Sequence, residues 1–195
     1  MKNIINLLIG AVAAGIVLPA SAQISLSLSP TSSTVALNGT ATYSITISGL
    51  KGSYDYNGPA LGGFTIELDY DSTIASAQAV SFGTSLNLSG TDFQYSDLST
   101  PGQIYFTETS FDLAAALETS QTSSFTLGTI TLQGVSLGTT TVSFDAVFTS
   151  LSDENAHTLD LISTTGASLT VVPEPGAGAL AALAMGLLGL RRKLA

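Results

Sequence analysis

The chain has 195 residues, a formal net charge of −9 and no cysteine, so disulfides, thiol catalysis and cysteine-based zinc sites are excluded. Residues 24–172 hold thirteen of the fourteen acidic side chains and a single base, Lys51, and the other four bases lie near the two ends. So acidic a body repels phosphate backbones, and we do not expect nucleic acid as a partner.

The first predicted element is an export signal over residues 1–22. Lys2 precedes a long apolar stretch, and Ala20 and Ala22 place small side chains at positions −3 and −1 of a signal-peptidase site. Pro19 ends the apolar helix where the protease requires extended chain. We expect cleavage after Ala22 and export across the inner membrane, the alternative being an uncleaved N-terminal anchor.

The body, residues 23–172, alternates apolar and polar side chains with a period of two. This pattern predicts strands with one buried and one solvated face, separated by turns such as Asn38-Gly39. Many short strands with few helical windows predict an all-β, antiparallel sandwich of the immunoglobulin-like type. The apolar positions of the predicted strands are Ile24, Leu26, Leu28, Ala41, Tyr43, Ile45, Ile47, Phe64, Ile66, Leu68, Tyr70, Ile104, Phe106, Phe125, Leu127, Ile130, Leu132, Val142, Phe144, Ala146, Phe148, Leu169 and Val171.

Two stretches depart from regular alternation. Within one predicted strand the apolar positions change parity between Leu127 and Ile130, and Gly128 lies at the change, which predicts a β-bulge. The one helix candidate covers residues 111–118, with Asp112 as its N-terminal cap.

Tyrosines offer the clearest candidates for sugar contact. Tyr54 and Tyr56 flank Asp55 in a predicted loop, where exposed rings and a carboxylate can stack on a sugar and bind its hydroxyls. Tyr95 and Tyr105 are further candidates. The chain has no tryptophan, the largest stacking platform, so a plain solvated loop is the alternative.

Acidic groups and the single histidine give weaker signals. Asp69 and Asp71 offer oxygens to calcium, but the Ser-Thr pair after Asp71 indicates a turn. Asp153 and Glu154 lie in a loop without the EF-hand pattern. His157 has no G-x-S-x-G motif to work with, and thirteen acids form carboxylate pairs by chance. We therefore expect no metal, no cofactor and no enzymatic activity.

The last 23 residues contain three parts in order. The first two are the motif Pro173-Glu174-Pro175 and an apolar run over residues 176–190, and a basic cluster of Arg191, Arg192 and Lys193 follows. A helix of 15 residues is about 22 Å long, short of the roughly 30 Å bilayer core. The basic cluster stays cytoplasmic by the positive-inside rule.

This tail resembles the PEP-CTERM sorting signal of Gram-negative bacteria, which has the same three parts at its extreme C-terminus. The resemblance implies processing by an exosortase-type enzyme and a transient anchor in the inner membrane, formed by a short membrane helix. Delivery to the cell surface or an exopolysaccharide-rich matrix follows. The alternative is a plain C-terminal anchor that is never cut.

The body resembles a cohesin domain. The stretches that carry the resemblance are TVALNGTATYSITISGL at 34–50, LGGFTIELDYDSTI at 61–74 and FTLGTITLQGVSLGTTTVSFDAVFTSLSDENA at 125–156. It implies a jelly-roll sandwich and a non-catalytic module, and no partner-contacting residue carries over. The sequence thus predicts a signal peptide (1–22), a cohesin-like domain (23–172) and a sorting signal (173–195). The domain is expected to bind a protein partner or, alternatively, a polysaccharide.

Overall fold

The computed structural model of the chain describes residues 23–50, 59–174 and 176. The predicted signal peptide, with Ala20 and Ala22, and the predicted membrane helix beyond residue 176 lie outside the described residues. Within the described ranges, no helix has the length and apolar character needed to cross a bilayer.

Thirteen strands and one short helix form the described part of the chain. They are β1 (Ile24–Ser29), β2 (Ser32–Ala36), β3 (Thr40–Ser48), β4 (Leu61–Asp69), β5 (Ala75–Phe82), β6 (Phe93–Asp97), β7 (Gln103–Thr109), α1 (Ala114–Ser120), β8 (Ser124–Gly134), β9 (Gly138–Phe144), β10 (Ser150–Asp153), β11 (Thr158–Leu159), β12 (Leu161–Thr165) and β13 (Ala167–Val172).

The strands form two sheets, which confirms the predicted all-β sandwich. One sheet has the order β12-β1-β3-β8-β5. The other sheet has the order β11-β10-β4-β9-β13-β2. On the remaining edge of β4, β7 pairs with β4, and β6 pairs with β7. The prediction of a purely antiparallel arrangement was wrong, because β1 pairs with β12 and β2 with β13 in parallel. These pairs bring strands from the two ends of the domain side by side.

The core lies between the sheets and consists of the apolar side chains of alternate strand positions. In β3 the burial pattern follows the period of two. Phe106 of β7 packs edge-on against Phe64 of β4 at 5.4 Å between ring centroids and against Phe82 of β5 at 6.0 Å. The Tyr43 hydroxyl, at the buried end of its ring, donates to the Ser168 carbonyl at 2.8 Å.

The predicted bulge is confirmed. Ile45 of β3 pairs with Gly128 of β8 and the next residue, Thr46, pairs with Thr126, so Leu127 is the extra residue. A Cβ on Gly128 would lie 2.6 Å from the Ser81 carbonyl oxygen of β5. Glycine is therefore required at this close approach of the two backbones.

The predicted strand continuing to Phe148 was wrong. β9 ends at Phe144, and Ala146 and Phe148 lie in an exposed turn. The Asp145 carboxylate accepts the amides of Val147 at 2.6 Å and Phe148 at 3.0 Å, which bends the chain out of the sheet.

The predicted helix exists, but its bounds and its cap were wrong. α1 covers Ala114–Ser120, and its N-cap residue, Leu113, makes no side-chain cap hydrogen bond. Asp112 instead accepts the Leu88 amide at 2.8 Å and so ties the loop before β6 to the end of β7.

Candidate functional site

The outward side of β6, β7, β4 and β10 forms a continuous surface, here called the outer face. The registers of the four strands place its side chains in cross-strand rows. The four rows are Phe93–Thr109–Gly63–Ser152, Tyr95–Thr107–Thr65–Ser150, Asp97–Tyr105–Glu67 and Gln103–Asp69.

Aromatic rings line one edge of the outer face. Phe93 and Tyr95 of β6 are 52% and 49% exposed. The Tyr95 ring lies 6.2 Å from the Tyr105 ring of β7 in an edge-on arrangement. The structure thus brings together two tyrosines that the sequence named and adds Phe93, which it did not. Tyr54 and Tyr56 lie outside the described residues.

Hydroxyl groups form the middle of the outer face. The Thr65 and Thr107 hydroxyls are 3.1 Å apart across β4 and β7. Gly63 has no side chain to fill the space beside Ser152, where a Cβ would come within 3.2 Å of the serine hydroxyl. The result is a shallow groove of about 180 Å³ between β7 and β10.

Acidic side chains line the opposite end of the outer face. Glu67 is 8% exposed, and its carboxylate accepts the Gln103 amide at 2.9 Å. Burial raises the pKa of Glu67, and the charges of Asp145 and Asp69 add to the rise. The described residues contain neither lysine nor arginine, so no side chain of the described body neutralises this charge.

The first calcium candidate belongs to a turn. The Asp71 carboxylate accepts the amide and the hydroxyl of Thr73 at 2.8 and 2.7 Å, and these hydrogen bonds lower its pKa. The predicted turn is confirmed. Asp69 and Asp71 both line a polar pocket of about 340 Å³ with Thr139 and Ser143.

The second acidic candidate also organises a loop. The Asp153 carboxylate accepts the amides of Asn155 and His157 at 2.9 and 2.8 Å, and Glu154 accepts the Ala60 amide at 2.8 Å. The His157 side chain is 78% exposed, and its ring lies 3.1 Å from Asp153. In the part of the chain that the structure describes, no three acidic or histidine side chains gather into a metal site.

The predicted sorting motif starts directly after the sandwich. β13 ends at Val172, and Pro173 and Glu174 are exposed. Pro175 and the basic cluster of Arg191, Arg192 and Lys193 lie outside the described residues.

The fold matches that of solved cohesin modules. CaCohA2 from Clostridium acetobutylicum has a TM-score of 0.62 and 18% identity, over 78% of this chain and 92% of that one. The third cohesin of ScaC from Acetivibrio cellulolyticus, solved in complex with the ScaB dockerin, has a TM-score of 0.59 and 11% identity, over 77% of this chain and 99% of that one. The cohesin module of a family 33 glycoside hydrolase from Clostridium perfringens has a TM-score of 0.57 and 12% identity, over 78% of this chain and 99% of that one. The sequence matches no protein-family model and no curated protein.

Proposed function

We propose that the chain is a non-catalytic, cohesin-type module that binds a protein partner through the outer face. The observation that carries this proposal is the cluster of the exposed Phe93 and Tyr95 with the half-buried Tyr105, beside the acidic side chains of the outer face. Aromatic side chains on a flat, rigid sheet supply the central contacts of many protein interfaces. One similar structure shows the ScaC cohesin in complex with a dockerin. This complex supports the proposal that the partner is a protein.

The charge of the outer face sets the chemistry of the partner. Glu67, Asp69 and Asp97 lie on it, and the described body has no cation to pair with them. A surface with lysine or arginine complements such a face, whereas an acidic one is repelled. Binding is therefore expected to weaken as salt concentration rises.

The double variant Tyr95→Ala/Tyr105→Ala tests the placement of the site. Removing two central aromatic contacts costs about 2 kcal/mol each, so affinity should fall by at least 100-fold. The module is immobilised, partners are isolated from secreted proteins of the source organism, and affinities are then measured on the purified partner. Ile162→Ala on the other sheet, which removes a side chain 56% exposed, is the matched control. Unchanged affinity of the double variant would place the site elsewhere.

A polysaccharide is the second candidate ligand. The hydroxyl-lined groove beside Gly63 and the neighbouring Tyr95 ring offer hydrogen bonds and a stacking surface to a neutral sugar chain. Purified exopolysaccharide, tested against the same variants, separates the two ligands. Retention of the glycan by the native module but not by the double variant would favour this alternative, and loss through Tyr54→Ala/Tyr56→Ala would favour the loop instead.

We further propose that the module is exported and processed at both ends. The support is sequence-level: the Ala20 and Ala22 pair, and the Pro173-Glu174-Pro175 motif before an apolar run and a basic cluster. Mass spectrometry of the extracellular protein should give a chain that begins at Gln23 and lacks residues 191–195. A surface form that retains Arg191 would contradict processing by an exosortase-type enzyme and indicate a plain anchor.

A further inference from the structure

A buried carboxyl lies below the aromatic edge of the outer face, at a position where strand alternation predicts an apolar side chain. Glu108 follows Ile104 and Phe106 on the inward side of β7 and is 1% exposed. An ionised carboxylate in such a place requires a compensating charge. The described residues supply none, because they include no lysine and no arginine.

Two polar side chains face the Glu108 carboxyl. Gln94, opposite it on β6, donates from Nε2 to Oε1 at 3.0 Å. The second is Asp92, directly before β6, whose carboxylate lies close enough to that of Glu108 for its charge to raise the Glu108 pKa. Burial raises the pKa of Glu108 to about 7; the hydrogen bond from Gln94 opposes the rise, and Asp92 adds to it.

Asp92 supplies a separate, geometric indication. Its Oδ2 atom is excluded from solvent and has no hydrogen-bond donor among the described residues. A buried acceptor without a donor is costly. A proton on Glu108 gives Asp92 the missing donor and at the same time removes one of two adjacent negative charges.

No other ionisable side chain of the neighbouring described strands faces the Glu108 carboxyl. β5 has no ionisable side chain, and on β4 and β6 the ionisable groups lie on the outer face. After β7, Asp112 is directed to the Leu88 amide. The ionisable groups of β4 and β6 are Glu67, Asp69, Tyr95 and Asp97.

The carboxyl pair lies at the edge of the outer face that β6 forms. β6 is an edge strand that pairs with β7 alone, and four of its five residues are exposed. Asp92 immediately precedes Phe93, which pairs with Thr109 at the start of the ladder. Repulsion between two carboxylates at this point therefore acts on the strand that carries the aromatic edge.

We propose that Asp92 and Glu108 share one proton, that this proton holds the start of β6 against β7, and that its loss loosens the aromatic edge. The switch itself needs no ligand. Its consequence, tighter binding in mildly acidic than in alkaline medium, rests on the proposed function of the outer face.

Hydrogen exchange of the β6 amides tests the switch directly. With a Glu108 pKa of about 7 in the closed strand and an ordinary value in the open one, protection should fall roughly 30-fold from about pH 5.5 to 8.5. Protection factors, which correct for the intrinsic pH dependence of exchange, are compared in the full domain. Glu108→Gln keeps a permanent donor next to Asp92 and should show no such fall. Glu118→Gln, an exposed position on α1, should behave like the native protein.

The outcomes separate the proton from its alternatives. Equal protection at both pH values, or a fall that persists in Glu108→Gln, overturns the proposal. Asn87 Oδ1, in the loop before Asp92, also lacks a donor, so a cation is the competing explanation. Protection restored at high pH by millimolar calcium and lost at low pH with a chelator would establish the cation and overturn the shared proton.

Carbon-13 titration of the Glu108 carboxyl in the native protein covers the case in which the variant does not fold. A midpoint near 7 supports the proposal, and one near the ordinary value of about 4.3 overturns it. If exchange switches with pH but partner affinity does not, the outer face is the wrong binding site and the proton switch stands.

Discussion

Gln121, directly after α1, holds the backbone of Leu61, the first residue of β4. Its Oε1 accepts the Leu61 amide at 2.7 Å, and its Nε2 donates to the Leu61 carbonyl at 2.8 Å and to the Ser85 carbonyl at 3.2 Å. The side chain is 5% exposed. One amide thus satisfies both buried backbone groups of Leu61 and a part-buried carbonyl in the loop after β5.

Gln121→Ala should destabilise the domain by about 2–4 kcal/mol, because buried polar groups without partners cost about 1–3 kcal/mol each. Urea denaturation measures the free energy of unfolding. Gln78→Ala, which removes an exposed glutamine that bonds only to Ser76, should stay within about 0.5 kcal/mol of the native protein. If both variants lose the same free energy of unfolding, the hydrogen bonds of Gln121 make no special contribution to stability.

At this scale the sequence predicts the buried apolar side chains well and the buried polar ones poorly. Glu108 lies in phase with Ile104 and Phe106, yet its partner Gln94 is 14 residues away, and Gln121 reaches a strand 60 residues away. Local sequence patterns do not predict these hydrogen bonds, because the tertiary fold determines which side chains meet.

The strands illustrate the same limit for whole elements. Alternation predicts β3 and β4 correctly because the apolar side chains that face the core occupy alternate positions in each. β6 lacks this signature, since as an edge strand it exposes aromatic rings on one side and polar groups on the other. The turn at Asp145 follows an alternating pattern, but side-chain hydrogen bonds to the next amides override it.

The bulge in β8 gives an element-scale prediction. In Gly128→Ala the new methyl group would lie 2.6 Å from the Ser81 carbonyl oxygen, so β5 must shift away from β8. We expect a loss of about 1–3 kcal/mol in the free energy of unfolding and faster exchange of the β5 amides. Thr131→Ala, on the same strand with its hydroxyl toward Thr42, should be nearly neutral. Native exchange rates in β5 of the Gly128 variant would contradict the close approach.

For the whole molecule, stability should be greatest in mildly acidic medium. The pKa of Glu108 is raised by burial to about 7, so its contribution is complete below the unfolded value and is lost as pH rises through neutrality. The pKa of Asp71 is lowered by its hydrogen bonds with Thr73, and that of Asp97 by those with Ser99. Their contributions are lost as pH falls below about 3.8.

Urea denaturation between about pH 4 and 9 measures this profile. The rise of the Glu108 pKa to about 7 corresponds to a loss of about 3 kcal/mol on the alkaline side. Glu108→Gln should remove most of that loss and leave the acid side unchanged. A native protein as stable at pH 8 as at pH 5 would show that Glu108 ionises in the fold at no cost.

The parallel pairs at the two ends of the domain have a consequence for how the sandwich assembles. β2 has β13 as its sheet neighbour, more than 130 residues further along the chain, and β1 lies between β3 and the late strand β12. Such contacts give a high contact order and slow, late closure. Until the last strands arrive, β2 has no sheet neighbour and β1 has β3 alone, so closure of the sandwich requires the complete domain.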